Sequence, residues 1–142
     1  MADTTDTSVE LIRALVQNVS GPDVDYENWQ SMSIVIDSFD GKFNSASGSL
    51  YSPNGTISIV TASPSSVLPA VEAYINDIYT PGQPRPIKFL VQFDRVSGKY
   101  SITFEDSDEL RWKVTPKNYK EIRETLRPNF DEPSSNEPTA SL

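Results

Sequence analysis

The sequence contains no cysteine and no histidine. Without cysteine the chain has neither a disulfide framework nor a thiolate ligand for a metal, and a reducing compartment is permitted. Histidine is the commonest general acid–base and metal-binding side chain, so the usual forms of catalysis lack their central residue. We therefore expect a protein that is not an enzyme and that has no cofactor and no metal site.

Glycine and long apolar runs are also scarce. The six glycines are scattered, and neither Gly41-Lys42 nor Gly98-Lys99 has the spacing of a phosphate-binding loop or precedes a predicted helix. No apolar run approaches the roughly 18 residues that span a bilayer, and the first ten residues are polar where a signal peptide would be basic and then apolar. These absences predict a soluble, cytoplasmic protein that does not bind a membrane.

Positive charge is in deficit. The chain has 20 acidic and 12 basic residues, a net charge of −8. Residues 131–142 are almost wholly Asp, Glu, Pro, Ser, Asn and Thr, so we expect a disordered acidic tail behind a single domain of residues 1–130, whose own charge is about −5. An acidic domain repels nucleic acid and attracts basic proteins, although acidity often serves solubility alone.

Hydrophobic periodicity predicts three helices. The first runs from about Ser8 to Val19, and the second covers residues 66–79. The third begins with Thr115 as its cap and Pro116 at its first helical position, and it ends at Pro128.

Alternation of apolar and polar residues predicts the strands. Residues 29–37 and 42–51 form one hairpin, a short strand over residues 56–61 follows, and residues 87–93 and 100–104 form a second hairpin. Leu110, Trp112 and Val114 extend the alternation, which predicts another short strand with Trp112 in the core. The order is αβββαββ(β)α, an α+β fold in which an antiparallel sheet carries helices packed on one face.

The two predicted hairpins share a sequence pattern. Asp37, Gly41-Lys42 and Phe43 recur 57 residues later as Asp94, Gly98-Lys99 and Tyr100, and the same offset lays the first helix over the start of the second. Two explanations remain open: duplication of an αββ unit, and convergent turn chemistry in which Asp caps the turn and Gly takes a positive φ.

One acidic cluster is a candidate partner-binding site. Asp23, Asp25 and Glu27 precede Trp29, which lies on the opposite parity from the apolar residues of its strand. An exposed aromatic ring with carboxylates around it suits a basic protein partner. The alternative is an edge residue that a helix covers.

A second acidic cluster, Glu105, Asp106, Asp108 and Glu109, occupies a predicted turn. Paired carboxylates there could hold a divalent ion or act on a glycoside, but the run lacks the glycine and the later glutamate of a calcium loop. A partner contact and a plain solvated turn are the remaining interpretations.

Basic residues concentrate on the third helix, at Lys117, Lys120, Arg123 and Arg127. Glu121 and Glu124 are their helical neighbours, and the overall charge is negative, so we do not expect nucleic-acid binding.

The run from Trp29 to Phe43, which ends in Asp37-Ser38-Phe39-Asp40-Gly41-Lys42-Phe43, resembles a pattern in YezG-like immunity proteins of bacterial polymorphic-toxin systems. The resemblance implies a cytoplasmic antitoxin that binds and blocks a cognate toxin domain, which we expect to be basic. The second hairpin and residues 108–128 have no assigned counterpart in that pattern.

The order of elements is also similar to that of class I secretion chaperones. That resemblance implies that this chain is a homodimer that binds an unfolded segment of an effector. Such a likeness of order carries no information about a site. The expected state is therefore a monomer or a homodimer, and both hypotheses predict a protein-binding surface.

Overall fold

The computed structural model describes residues 4–39, 42–80, 82, 85–128 and 139–141. Its elements, in chain order, are α1 (Thr4–Asn18), β1 (Val19–Ser20), β2 (Ser31–Phe39), β3 (Lys42–Tyr51), β4 (Ile57–Ala62), α2 (Pro64–Ile78), β5 (Lys88–Asp94), β6 (Lys99–Glu105), α3 (Tyr119–Thr125) and β7 (Thr139–Ser141). All strands join one antiparallel sheet in the order β1-β4-β3-β2-β5-β6-β7. The predicted α+β class, antiparallel sheet and order of the main elements are confirmed.

The core lies between the sheet and the two long helices. Met32, Ile34 and Ile36 of β2 are fully buried on the face toward α1 and α2, because alternate residues of a strand share a face. On the same face, the rings of Phe43, Tyr74, Tyr79, Phe89 and Phe104 pack against one another with centroids 5.5–6.4 Å apart. We call this side of the sheet the helical face.

The short α3 lies on the opposite side, which we call the second face. Tyr51 donates a hydrogen bond from its hydroxyl to the carbonyl oxygen of Arg123 at 2.6 Å, and the Gln92 side chain donates to the carbonyl oxygen of Leu126 at 2.9 Å. Tyr51 and Gln92 have the opposite parity to the core residues of their strands. The prediction of helices on one face therefore holds for α1 and α2, whereas α3 covers the other face.

The predicted strand over Leu110, Trp112 and Val114 does not form. Asp108 accepts hydrogen bonds from the backbone N–H groups of Leu110 and Arg111, so local turns occupy the groups that a strand would pair with a neighbour. Leu110 and Val114 are 72% and 57% exposed, and Trp112 is half-buried with a φ of +62°. Trp112 is therefore not a core residue, which corrects the sequence prediction.

The predicted disordered tail is described only in part. Residues 131–138 and Leu142 lie outside the described residues. Thr139–Ser141 form β7, which pairs with residues 99–101 of β6. Within the described ranges, no helix has the length and apolar character needed to cross a membrane.

The two αββ units are related through the centre of the sheet. β2 and β5 begin 57 residues apart, as do β3 and β6, and α1 packs against α2. In the antiparallel pairing of β2 with β5, Ile34 lies opposite Val91, which is its own counterpart at the offset of 57. The pair therefore lies on an approximate two-fold axis that relates the halves, the arrangement that duplication of an αββ unit would produce.

Close packing of β3 against β2 gives a test of the sheet. A Cβ on Gly48 would overlap the carbonyl oxygen of Ser33 and approach the Cα of Ile34 to 2.9 Å. Because both obstacles are backbone, we expect Gly48→Ala to lower the free energy of unfolding by about 3 kcal/mol, at the upper end of overpacking effects. Chemical denaturation checks this, with Ser45→Ala at an exposed position of the same strand as control. Equal effects of the two substitutions would contradict the close approach.

Candidate functional site

The first acidic cluster forms a fixed turn at one end of the sheet. The Asp25 carboxylate accepts hydrogen bonds from the backbone N–H groups of Glu27 and Asn28 and from the Asn28 side chain. The hydrogen bond from the Asn28 side chain is the largest cause that lowers the pKa of Asp25. The Arg95 guanidinium donates to the carbonyl oxygens of Tyr26 and Glu27 at 3.2 and 3.0 Å. The conformation of the turn is therefore fixed by Asp25 from within and by Arg95 from the neighbouring chain segment.

Trp29 does not present its ring to solvent. It is 4% exposed, packs edge-on against Phe93 with centroids 6.5 Å apart, and lies 4.0 Å beneath the Arg95 guanidinium. The interpretation as an exposed anchor is wrong because the parity of β2 begins at Ser31 and does not extend back through the turn. The ring belongs to the core cluster.

The exposed aromatic residue of this turn is Tyr26, which the sequence prediction missed. Tyr26 is 53% exposed, and Val96 of the neighbouring β5–β6 turn is exposed as well. Asp23, Asp25 and Glu27 make no ion pair with any residue in the described ranges. The spacing of Asp25 and Asn28 was the available signal, because an Asx-type turn places the two residues between them at its tip. We call Asp23, Asp25, Tyr26, Glu27 and Val96 the acidic end.

The second acidic cluster lies at the other end of the sheet. Beside the acidic end, Ser31 pairs with Asp94. Six residues farther along β2, Asp37 pairs with Lys88, and the rise of a strand places these two pairs roughly 20 Å apart. Lys88 in turn pairs with Glu105, where the second cluster begins. The eight predicted partner-binding residues therefore do not form one surface.

The Glu105 carboxylate of the second cluster forms hydrogen bonds within its own turn. Glu105 accepts hydrogen bonds from the backbone N–H groups of Asp108 and Ser107 and from the Arg111 guanidinium, and together these contacts lower the pKa of Glu105 to about 2. Asp106, Asp108 and Glu109 are exposed. In the part of the chain that the structure describes, no group of three or more acidic side chains is placed to hold a metal ion.

Lys88 joins this turn to the sheet. Its side chain is 5% exposed, and its ammonium group donates to the carbonyl oxygens of Glu109 and Arg111 at 2.6 and 3.1 Å. The Asp37 carboxylate lies 3.7 Å from the same nitrogen. A buried ammonium group is tolerated only when its donors are satisfied, so the path of the chain after β6 depends on this side chain.

Between the second face and the C-terminal segment lies a cleft of about 350 Å³. Its floor is formed by strands β2, β3 and β4, and its wall by residues 112–126. Its lining is Ser33, Val35, Asp37, Ser47, Gly48, Ser49, Tyr51, Ile59, Trp112, Lys113, Val114, Ile122, Arg123 and Leu126. The volume is within the range of ligand sites, and the lining combines apolar walls with hydroxyl groups and two cations.

The Tyr51 hydroxyl anchors the floor of this cleft. Burial raises its pKa, while hydrogen bonds with Ser33 and Ser49 oppose that shift. The phenol therefore stays protonated at neutral pH and donates to the carbonyl oxygen of Arg123. Its role is to hold α3 against the sheet.

We expect Lys88→Met to detach residues 105–127 while the rest of the fold persists. The substitution leaves the Glu109 and Arg111 carbonyl groups without their donor, and a hydrogen bond from a charged group contributes about 1.5–3 kcal/mol. Hydrogen exchange of the amides in this segment should accelerate roughly 30-fold, which corresponds to about 2 kcal/mol. Lys42→Met, at an exposed position, is the matched control. A uniform acceleration over the whole sheet would contradict the local role.

Acid should loosen the same segment through Glu105. Because the folded-state pKa of Glu105, about 2, lies below its ordinary value near 4.5, the carboxylate stabilises the fold above pH 4.5. That contribution is lost as the pH falls from about 4.5 to about 2. The protection factors of the amides of residues 105–112, which correct for the intrinsic pH dependence of exchange, should therefore fall in this window in the wild type, and Glu105→Gln should remove that pH-dependent difference. Asp106→Asn in the same turn is the control, and an identical pH profile for wild type and Glu105→Gln would refute the prediction.

Comparisons with protein-family models, curated proteins and solved structures found no match. The resemblances to YezG-like immunity proteins and to class I secretion chaperones therefore remain hypotheses from the sequence.

Proposed function

We propose that this chain is a non-enzymatic protein-binding domain of the immunity type, which binds and blocks a folded, basic partner domain in the cytoplasm. The observation that carries the proposal is the acidic end, where the exposed Tyr26 ring and the exposed Val96 lie beside carboxylates that form no ion pair within the described part of the chain. An apolar centre with a charged rim is the composition of a specific protein interface.

The rigidity of the turn favours tight binding. Arg95 is already engaged with the backbone of Tyr26 and Glu27 and with the Trp29 ring, and Asp25 with the backbone of Glu27 and Asn28. Because these contacts exist in the free chain, little conformational freedom is lost when a partner binds. Tyrosine is among the residues that contribute most to binding energy when their rings are buried in an interface.

The overall charge supports a basic partner. A net charge of −8 attracts a positively charged protein over a distance and raises the rate of association. The resemblance of residues 29–43 to YezG-like immunity proteins points to the same class of function. A toxin domain that must be neutralised quickly is the partner we propose.

We expect Tyr26→Ala to weaken the complex roughly 30-fold, the effect of losing about 2 kcal/mol at an interface hot spot. The partner is first isolated from the native host by affinity capture on the wild-type chain and identified by mass spectrometry, and binding is then measured by calorimetry. Tyr119→Ala, which removes an exposed ring near the second face, is the matched control. A partner that binds both variants as tightly as the wild type would exclude the acidic end as the interface.

The charges of the acidic end should govern the rate of association with the partner. The double variant Asp23→Lys/Glu27→Lys should slow association and weaken its salt dependence, because neither side chain holds the turn together. Asp25 is left unchanged because its carboxylate holds the turn. Light scattering of the free chain accompanies the test: a homodimer that captures an extended effector segment regardless of these variants would favour the chaperone hypothesis instead.

A further inference from the structure

The C-terminal segment has the opposite charge to the rest of the chain. Residues 111–127 hold half of the 12 basic residues and only two acids, a net charge of +4 within a protein of net charge −8. Backbone carbonyl groups of residues 109–126 accept the hydrogen bonds that bind this region to the sheet. Two of its six cationic side chains add to this attachment, because Arg111 pairs with Glu105 and Arg127 stacks on the Tyr51 ring.

Two of these cations line the cleft without a carboxylate partner. Lys113 and Arg123 form no ion pair with any side chain in the described ranges, although Arg123 stacks on the Tyr119 ring at 4.9 Å. The carboxylate in the lining is Asp37, which lies beside the Lys88 ammonium group. The cleft therefore holds an excess of positive charge beside its hydroxyl groups.

Apolar surface accompanies this charge. Val35 contributes to the floor and Ile122 and Leu126 to the wall, while Ile59 and Val114 line the cleft and are also exposed. Exposed apolar residues with polar residues around them are a feature of protein-binding surfaces.

We propose that this cleft binds a peptide segment of another protein in which an acidic residue lies next to an apolar one. The carboxylate would meet Lys113 and Arg123, and the apolar side chain would enter between Val35, Ile59 and Val114. The exposed hydroxyl group of Ser47 offers a hydrogen bond to the peptide backbone. A nucleic acid fits less well, because the remaining surface of the chain repels a polyanion.

This site is separate from the acidic end and selects the opposite chemistry. The acidic end surrounds the start of β2 and selects basic proteins, whereas the cleft lies on the second face and selects acidic segments. One chain could therefore hold two different partners, or two regions of one partner. Failure of either site in an experiment leaves the other site testable.

The test is selection from a phage-displayed library of random heptapeptides on the immobilised full-length chain. We expect the recovered sequences to be enriched in Asp or Glu next to Leu, Ile or Phe. Binding of the recovered peptides, measured by calorimetry, should fall at least tenfold in Lys113→Gln/Arg123→Gln. Both substitutions keep the backbone carbonyl groups that accept from Asn118 and Tyr51, so α3 should stay in place.

The matched control is Lys117→Gln/Lys120→Gln, which removes the same charge from the same segment at positions that do not line the cleft. It should bind the recovered peptides within twofold of the wild type, and Asp23→Lys/Glu27→Lys should do the same. Circular dichroism and amide exchange of residues 105–127 verify folding of each variant. Recovery of peptides without acidic enrichment would overturn the proposal. Equal losses of peptide affinity in Lys113→Gln/Arg123→Gln and in Lys117→Gln/Lys120→Gln would overturn it as well.

Discussion

The second face of this protein is organised by one buried charge. Lys88 lies opposite Asp37 on one neighbouring strand and Glu105 on the other, and its ammonium group binds two carbonyl groups of the turn that follows β6. After this contact the chain runs back across the sheet. There the side chains of Tyr51 and Gln92 hold the end of α3 by donating hydrogen bonds to its backbone carbonyl groups. The segment is attached to the sheet through carbonyl groups near both of its ends, and the cleft lies between these attachments.

Attachment through carbonyl groups separates the stability of the segment from its surface chemistry. Apart from Arg111, which pairs with Glu105, and Arg127, which stacks on Tyr51, the cations of residues 111–127 take no part in these contacts, and the segment carries a net positive charge and exposed apolar groups. The acidic end is built in the complementary way: there a cation, Arg95, holds the backbone of the turn, and the carboxylates of Asp23 and Glu27 are exposed. In both places one buried or stacked cation binds main-chain oxygens, and the exposed charges remain for partners.

The sequence predicted the helical face well and the second face poorly, for a physical reason. Burial of one side of a strand imposes a period of two, so Met32, Ile34 and Ile36 identified both the strand and its core face. The same alternation misassigned Trp112 and Trp29, because hydrogen bonds within turns, centred on Asp108 and Asp25, override side-chain parity. Lys88 left no sequence signal either, since its burial depends on carbonyl groups more than 20 residues away that only the fold brings near.

The approximate two-fold relation of the halves locates what is specific to this chain. About the Ile34–Val91 pair, the two helices and the two hairpins correspond, so the helical face is shared by both halves. The halves diverge after their second strands: β3 continues into β4, which extends the sheet, whereas β6 continues into the segment that folds back over the second face. A symmetric αββ pair would leave that face open, because nothing in either unit covers it. Three features distinguish this protein from such a pair: the cleft, its cations and its exposed apolar rim. All three arise from the segment that follows β6. A function particular to the chain is therefore to be sought on the second face as well as at the acidic end.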